Sequence, residues 1–125
     1  MKIENIKFKA KELGTGKWKV GFLQRDMDYN LCILIANKED HSWYWTQIDP
    51  STVCMFTGLK DCENQDIYEG DILAEKECPE FEVGYINCTF AAAYVGDDKF
   101  IFNLTALSEV CTVCGNKFDR KEGEK

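Results

Sequence analysis

Three carboxylates follow one another closely in the middle of the chain, at Asp66, Glu69 and Asp71. Such a group can hold a divalent cation for a metal-assisted hydrolase, because these ions accept carboxylate oxygens readily. Carboxylates where strands meet turns also form solvated rims, and that interpretation is preferred here. No metal ligand is therefore predicted, and the hydrolase stays a third hypothesis behind two binding functions.

The segment from Asp61 to Asp66 begins like a calcium-binding loop. An EF-hand loop requires glycine at its sixth position and glutamate at its twelfth, where this chain has Asp66 and Ile72. The match fails where the geometry is strictest. The segment is predicted instead to form a tight turn, in which Asn64 takes a left-handed conformation.

Cys111 and Cys114 form a C-x-x-C pair followed by Gly115, a spacing that can present two thiolates to zinc. A structural zinc site takes about four ligands. The other cysteines form no second pair of this kind, and the chain holds seven cysteines, an odd number. Reduced thiols are therefore predicted rather than disulfides or metal ligands, and no cofactor is expected.

His41 is the single histidine, and it is predicted to lie in a turn. Nucleophilic catalysis would need a base beside a serine or cysteine, and the chain has no G-x-S-x-G motif. Gly14 and Gly16 are not followed by the residues of a phosphate-binding loop. The chain is therefore predicted not to be an enzyme.

A lysine-rich hairpin is the candidate binding site. Alternation of apolar and charged residues predicts that its lysines project from one solvent-exposed face, where their ammonium groups could bind along a phosphate backbone. Phe8 and Trp18 are predicted to point to the opposite, buried face, which leaves the lysines without stacking groups. Lysines on an edge hairpin also prevent pairing with other chains, and this interpretation is preferred to nucleic-acid binding. The candidate nucleic-acid contacts are Lys7, Lys9, Lys11, Lys17 and Lys19.

The charge is unevenly distributed in a chain of net charge −7. Residues 1–25 carry seven Lys and Arg against two Glu, whereas residues 61–82 carry nine carboxylates against one lysine. An acidic protein with one basic end is not a general binder of polyanions. Self-association or self-complementarity is expected instead, with the basic end of one copy or half meeting the acidic middle of another. No long apolar run or signal-peptide core is present, so a cytoplasmic protein without a membrane partner is expected.

Period-two patterns with turn residues between them run along most of the chain and predict an all-β fold. Trp43 and Trp45 are predicted to share one strand face, as core or as a subunit interface. A short helix is the alternative to a strand at residues 103–109. The predicted strands span residues 6–11, 17–22, 31–36, 42–48, 52–57, 72–75, 81–87, 89–95, 100–104 and 107–114, with a hairpin turn at residues 96–98.

The central segment carries the most specific pattern. Phe56–Asp61 reads Phe-Thr-Gly-Leu-Lys-Asp, and Ile67–Ile72 reads Ile-Tyr-Glu-Gly-Asp-Ile. Together with the opening at residues 6–10 and 17–23 and the ending at residues 113–116, these segments resemble the YopX family of phage and prophage proteins. The motif positions, to which we assign a structural role, are Thr57, Gly58, Leu59, Asp61, Ile67, Tyr68, Glu69, Gly70 and Asp71.

The resemblance implies a small, β-rich protein of a phage or an integrated element, and it carries over no catalytic residue. The two aspartates of the motif, Asp61 and Asp71, are expected to accept main-chain hydrogen bonds, and Tyr68 is expected to pack inward. The chain departs from the family at Asn64, where glycine is usual, and in its charged ending.

We expect an N-terminal β-meander over residues 1–57, a small SH3-like barrel over residues 58–118 and a flexible tail over residues 119–125. A Gly-Asp-Ile strand start resembles that of SH3-like barrels, which is an analogy of fold alone. The predicted function is that of a non-enzymatic accessory or protein-interaction module, self-associating or with an unknown protein partner. The alternative is nucleic-acid binding through the lysine hairpin.

Overall fold

Alternating apolar and polar residues form antiparallel strands in the computed structural model, which describes residues 2–37, 39–76 and 79–119. The all-β prediction is confirmed. No helix in these residues is long and apolar enough to cross a membrane. The strands are β1 (Phe8–Lys11), β2 (Trp18–Arg25), β3 (Leu31–Ala36), β4 (Trp43–Gln47), β5 (Cys54–Lys60), β6 (Asp66–Tyr68), β7 (Asp71–Ala74), β8 (Phe81–Ile86), β9 (Thr89–Tyr94), β10 (Asp97–Asn103) and β11 (Thr112–Asn116).

The chain divides into two units, Met1–Phe56 and Thr57–Lys125. In the first unit, β1 to β4 pair as an antiparallel meander in the order β4-β3-β2-β1, and β1 also pairs with the start of β5. The likeness of the second unit to an SH3 barrel stays a prediction. Of the expected tail, Asp119 ends a 3₁₀ turn that begins at Lys117, and residues 120–125 lie outside the described residues.

The meander of the first unit curls so that the end of β1 reaches β4. Glu12 forms a β-bridge with Ile48, and the backbone N–H of Leu13 donates to the carbonyl oxygen of Gln47 at 3.0 Å. A sheet that meets its own far strand encloses a core on its inner side. The core of this unit is centred on Ala10, Ile33 and Ile48, with Phe8, Leu23, Leu31, Ile35 and Val53 packed against it.

The second unit contains a five-stranded antiparallel sheet in the order β10-β9-β8-β7-β11. Its core includes the fully buried side chains of Ile67, Leu73 and Val83. Aromatic rings add to this core, because Phe81 lies 5.1 Å from Tyr94 and 5.2 Å from Phe102 between ring centroids. Offset and edge-to-face pairs of this kind stabilise by about 0.5–1.5 kcal/mol each beyond the area that they bury.

The strand predicted over residues 107–114 is wrong in its first part, and the alternative helix is confirmed. Residues Leu104–Ser108 form α1, and the side-chain oxygen of Asn103 accepts a hydrogen bond from the backbone N–H of Ala106 at 3.1 Å. An asparagine at the N-cap satisfies a donor that the first turn leaves without a partner, which favours helix over strand.

Several turns depend on residues with positive φ. Asn64 has a φ of 68°, as predicted, and His41 lies beside β4 with a φ of 59°. The turn predicted at residues 96–98 is shifted, because β10 begins at Asp97 and Gly96 has the positive φ of 82°. A glycine at this position accepts the left-handed conformation without the Cβ clash of other residues.

Candidate nucleic-acid interface

The pairing of β1 with β2 decides which side chains accompany the lysines. Lys11 pairs with Trp18 and Lys9 pairs with Val20, whereas Lys19 pairs with Ala10. Directly paired residues on neighbouring strands project to the same side of a sheet. Two predictions are therefore wrong: the five lysines do not share one face, and Trp18 does not point away from the lysines of β1.

The other two lysines lie near a carboxylate. Lys19 and Lys17 both help to lower the pKa of Glu12, after the hydrogen bonds that this carboxylate accepts from the hydroxyls of Thr46 and Thr15. Those two hydroxyl donors lie 2.6 Å and 2.7 Å from the carboxylate oxygens. Lys17 and Lys19 thus belong to the surroundings of Glu12 rather than to the lysine row of β1.

The lysines of β1 lie over aromatic rings. The Nζ atoms of Lys9 and Lys11 are 4.8 Å and 5.4 Å from the ring centroid of Trp18. The Nζ of Lys7 lies 4.5 Å from the ring centroid of Phe56. Cation–π contacts of this kind contribute about 0.5–1 kcal/mol each at exposed sites.

The same side of the sheet continues into β3 and β4. Phe22 pairs with Leu34, and Leu34 pairs in turn with Trp45, so the three side chains form a row across the strands. Trp43, which pairs with Ala36, lies with its ring centroid 6.3 Å from that of Phe22. We call this side the lysine–tryptophan face and define it by Lys7, Lys9, Lys11, Trp18, Val20, Phe22, Leu34, Trp43 and Trp45.

Aromatic surface on this face is open to solvent. Trp43 and Trp45 are 56% and 55% exposed, and Phe22 is 38% exposed. A depression of 190 Å³ lies between Phe22, Trp43 and Lys7, with Glu4 at its border. A patch of exposed aromatic rings beside cations is a surface for a flat, anionic ligand, because the rings stack and the ammonium groups neutralise charge.

The family motif lies in the second unit, where its aspartates accept hydrogen bonds from neighbouring segments. Asp61 is buried, and its carboxylate accepts hydrogen bonds from the backbone N–H groups of Glu63, Gln65 and Val113, each at 2.9 Å. The hydroxyl of Thr57 donates to the carbonyl oxygen of Ile67 at 2.7 Å. The Asp61 carboxylate thus ties its own turn to β11, and the Thr57 hydroxyl ties β5 to β6.

Asp71 anchors the second half of the motif. Its carboxylate accepts from the backbone N–H of Tyr68 at 2.8 Å and from the side-chain amide of Asn116 at 2.9 Å. Tyr68 packs inward with 6% of its surface exposed. Burial raises the pKa of Tyr68 to about 12, with further contributions from the charges of Asp66 and Asp71.

The remaining motif residues shape turns and packing. Gly58 and Gly70 have φ angles of 86° and 87°, in the region that glycine adopts without strain. Leu59 packs against the core around the fully buried Ile67. Glu69 borders an open depression together with Glu82, Asp97 and Lys117 among others.

Among the residues that the structure describes, no group of three or more His, Cys, Asp and Glu side chains is placed so that it could hold a metal ion. Asp66 lies 3.8 Å from the Nζ of Lys60, while Asp71 is buried against Asn116. Cys111 is buried and Cys114 is exposed. The three carboxylates considered from the sequence therefore serve different local contacts.

The Asp61 carboxylate is expected to make the stability of the second unit sensitive to acid. Burial raises its pKa, but the backbone donors Val113, Gln65 and Glu63 outweigh this effect, so that the pKa lies below its ordinary value. A lowered folded-state pKa stabilises the protein above the unfolded pKa of about 3.9, and this stabilisation is lost as the pH falls through the folded value. Denaturant unfolding between neutral pH and pH of about 3 should show a smaller acid loss in Asp61→Asn than in the natural chain.

The Asp61→Asn variant should also be less stable than the natural chain at neutral pH, by about 1–3 kcal/mol. Both oxygens of the carboxylate accept hydrogen bonds, whereas the amide of asparagine has one oxygen that can accept. Glu63→Gln is the matched control, since Glu63 is an exposed carboxylate of the same turn. An Asp61→Asn profile that parallels the natural chain at every pH would contradict the assignment.

Sequence reasoning missed Trp18, Val20 and Phe22 as members of the candidate site. The signal that identifies them is the number of residues between paired positions. Six residues lie between Lys11 and its partner Trp18. Because this number is even, the odd-numbered residues of β1 pair with the even-numbered residues of β2, and paired residues share a face. A one-residue difference in register moves every side chain of a strand to the other face.

Comparison with known families matches the chain to a protein family. The family described as "YopX protein" matches residues 7–122, nearly the whole length. A comparison with curated proteins finds no match.

Proposed function

This chain belongs to the YopX family, and we propose that it is a non-enzymatic protein that binds single-stranded nucleic acid through the lysine–tryptophan face. The observation that carries the proposal is the register that places Lys9 and Lys11 on the same side as Trp18. The sequence alone predicted that no aromatic ring lies beside the lysines of the hairpin, whereas this register places Trp18 beside Lys9 and Lys11. We propose further that the protein acts in the cytoplasm as an accessory protein of a phage or integrated element, which the family resemblance and the exposed thiols of Cys62 and Cys88 support.

The chemistry of the face fits a single strand better than a duplex. Bases of a single strand are free to stack on Trp43, Trp45 and Phe22, which are exposed rings. Bases within a duplex are already stacked on one another, so their ring faces are not free to stack on exposed side chains. Stacking is tolerant of sequence, so little base preference is expected.

The charge distribution also supports this face as the place where a polyanion binds. Residues 1–56 carry eight Lys and Arg against seven Asp and Glu, whereas residues 57–125 carry seven against fifteen. A polyanion is repelled by the second unit and therefore finds its counter-charges in the first. Three lysines on the face predict weak, salt-dependent binding rather than tight binding.

Titration with single-stranded oligonucleotides tests the proposal. All three tryptophans of the chain, Trp18, Trp43 and Trp45, lie on the proposed face, so their fluorescence should be quenched on binding. The logarithm of the affinity should fall with the logarithm of the salt concentration with a slope of about −2, since each phosphate contact contributes about −0.7 on single strands. A duplex of equal length should bind more weakly.

Substitutions separate stacking from charge. Trp43→Ala and Trp45→Ala should each weaken binding by about 5- to 150-fold, the loss of one base stack. Lys9→Gln should flatten the salt slope by about 0.7. Lys19→Gln is the matched control, because Lys19 pairs with Ala10 on the other side of the sheet, and it should leave both affinity and slope nearly unchanged.

Two outcomes would overturn the proposal. One is an equal loss of affinity in Lys19→Gln and Lys9→Gln, which would show that general charge rather than this face binds the strand. The other is an absence of single-strand binding at low salt. If the tryptophan variants then abolished capture of a defined protein instead, the face would be a protein-interaction surface.

A further inference from the structure

We propose that the open edge of β4 pairs with β4 of a second copy of this chain, in antiparallel orientation across a two-fold axis. β4 is the terminal strand of its sheet, and before the point where Leu13 contacts Gln47 the outer side of its backbone has no neighbouring strand in the described residues. This inference goes beyond nucleic-acid binding and does not depend on it. It places self-association at the edge of β4, a surface other than the basic end and acidic middle that the charge distribution suggested.

The direction of each backbone group along β4 follows from its hydrogen bonds. The N–H of Ile48 donates to Leu31 of β3 at 3.2 Å, and the carbonyl of Ser42 accepts from Asn37 at 2.7 Å. The backbone N–H and C=O groups of the even-numbered residues of this segment therefore point toward β3. The carbonyl of Gln47 faces the other way and accepts from Leu13. Because these directions alternate along a strand, the N–H and C=O groups of Trp43 and Trp45 point to the open edge.

The usual protections of an edge strand are missing here. Natural edges carry lysine, proline or a bulge that prevents pairing with another chain. Residues 42–48 read Ser-Trp-Tyr-Trp-Thr-Gln-Ile, without a charge, a proline or a glycine. β4 pairs with β3 in continuous register, without a bulge, from Trp43 to Gln47.

The available length selects one register. Leu13 occupies the outer side of β4 at Gln47, and the positive φ of His41 turns the chain away at the other end. Pairing with a second copy is thus confined to the residues between His41 and Gln47, and an antiparallel pair centred on Tyr44 uses all of these residues. Trp43 of one copy then lies opposite Trp45 of the second copy in a hydrogen-bonded pair, and the two Tyr44 residues face each other.

This register is self-complementary in its side chains. Four tryptophans meet on one face and two tyrosines on the other, and aromatic cross-strand pairs are among the favourable ones. Trp43, Tyr44 and Trp45 are 56%, 46% and 55% exposed, so the six rings have surface left to bury. At about 100 Å² for each half-exposed ring the contact is small, and a weak dimer with a dissociation constant between about 1 µM and 1 mM is expected.

A charge-swap experiment at Tyr44 tests the two-fold register. Sedimentation of the natural chain without nucleic acid should show a monomer–dimer equilibrium. Tyr44→Lys and Tyr44→Glu should each be monomeric, because like charges then face each other, and their mixture should form a one-to-one dimer. Both substitutions leave the lysine–tryptophan face intact, since Tyr44 points to the other side of the sheet.

A natural chain that stays monomeric up to about 1 mM overturns the proposal, as does a Tyr44→Lys variant that dimerises like the natural chain. A mixture that stays monomeric, with both variants folded by circular dichroism, overturns it equally. If either variant does not fold, Tyr44→Cys decides. Facing residues of a non-hydrogen-bonded pair lie about 4.5 Å apart between Cα atoms, within disulfide range, so a mapped 44–44 disulfide supports the register and its absence overturns it.

Discussion

Replacing Asp71 by alanine is expected to lower the free energy of unfolding by about 2–5 kcal/mol, because two buried donors lose their acceptor at once. These donors are the backbone N–H of Tyr68 and the side-chain amide of Asn116. Each buried donor without a partner costs about 1–3 kcal/mol. Denaturant unfolding followed by far-ultraviolet circular dichroism measures the loss. Glu69→Gln, a half-buried carboxylate of the same motif, is the control and should change stability by less than about 1 kcal/mol.

A swap of the two side chains separates this hydrogen bond from a general loss of packing. Asp71→Asn alone should destabilise, since its new amide would face the amide of Asn116. Combining it with Asn116→Asp reverses the donor and the acceptor. The new carboxylate can still accept from the backbone N–H of Phe118, which now donates to Asn116 at 2.9 Å. The double variant should recover more than half of the stability lost in Asp71→Asn, and strictly additive losses would contradict this account.

Replacing Gly21 by alanine should destabilise the first unit by about 3 kcal/mol. Gly21 lies in β2, and an ideal Cβ there would overlap the backbone oxygen of Leu34 in β3. A backbone atom held in a sheet cannot move aside as the end of a flexible side chain can, so the two strands must separate. All the tryptophans lie in this unit, and their fluorescence therefore reports its unfolding directly.

Gly84→Ala is the control for Gly21→Ala, and because Gly84 lies in the second unit, which has no tryptophan, its unfolding is followed by far-ultraviolet circular dichroism. Gly84 lies within β8, and a Cβ there would meet the side chain of Ile86 at 3.6 Å, an ordinary contact. Alanine loses less conformational freedom than glycine on folding, so this substitution should be neutral or stabilising by up to about 1 kcal/mol. Equal destabilisation of the two variants would mean that loss of glycine flexibility, rather than the close approach to Leu34, limits β2.

The strands of this protein could be predicted from local pattern. The alternation around Phe8 and Val20 marks half-buried strands, and turn residues such as Gly16 and Asn64 mark their ends, because side-chain period and positive φ are properties of single segments. The helix at Leu104–Ser108 was harder, since a short apolar segment fits both periods and the cap at Asn103 decided between them.

The partners of buried polar groups could be predicted only in part. Main-chain bonds to Asp61 from the next few residues follow from turn chemistry. Its bond to Val113 and the bond between Asp71 and Asn116 span 52 and 45 residues. Nothing local specifies such a pair, because its geometry depends on how the Asp61 turn and β7 each come together with β11.

The sequence by itself determined the β-rich class, the family and the identity of the basic segment at Lys7, Lys9 and Lys11. Only the tertiary structure decided what stands beside those lysines. Alternation shows which residues of one strand share a face, but it carries no information on the phase between two strands. That phase is decided by the hydrogen-bonded register across the hairpin, and a single step would return Trp18 to the opposite side from Lys11.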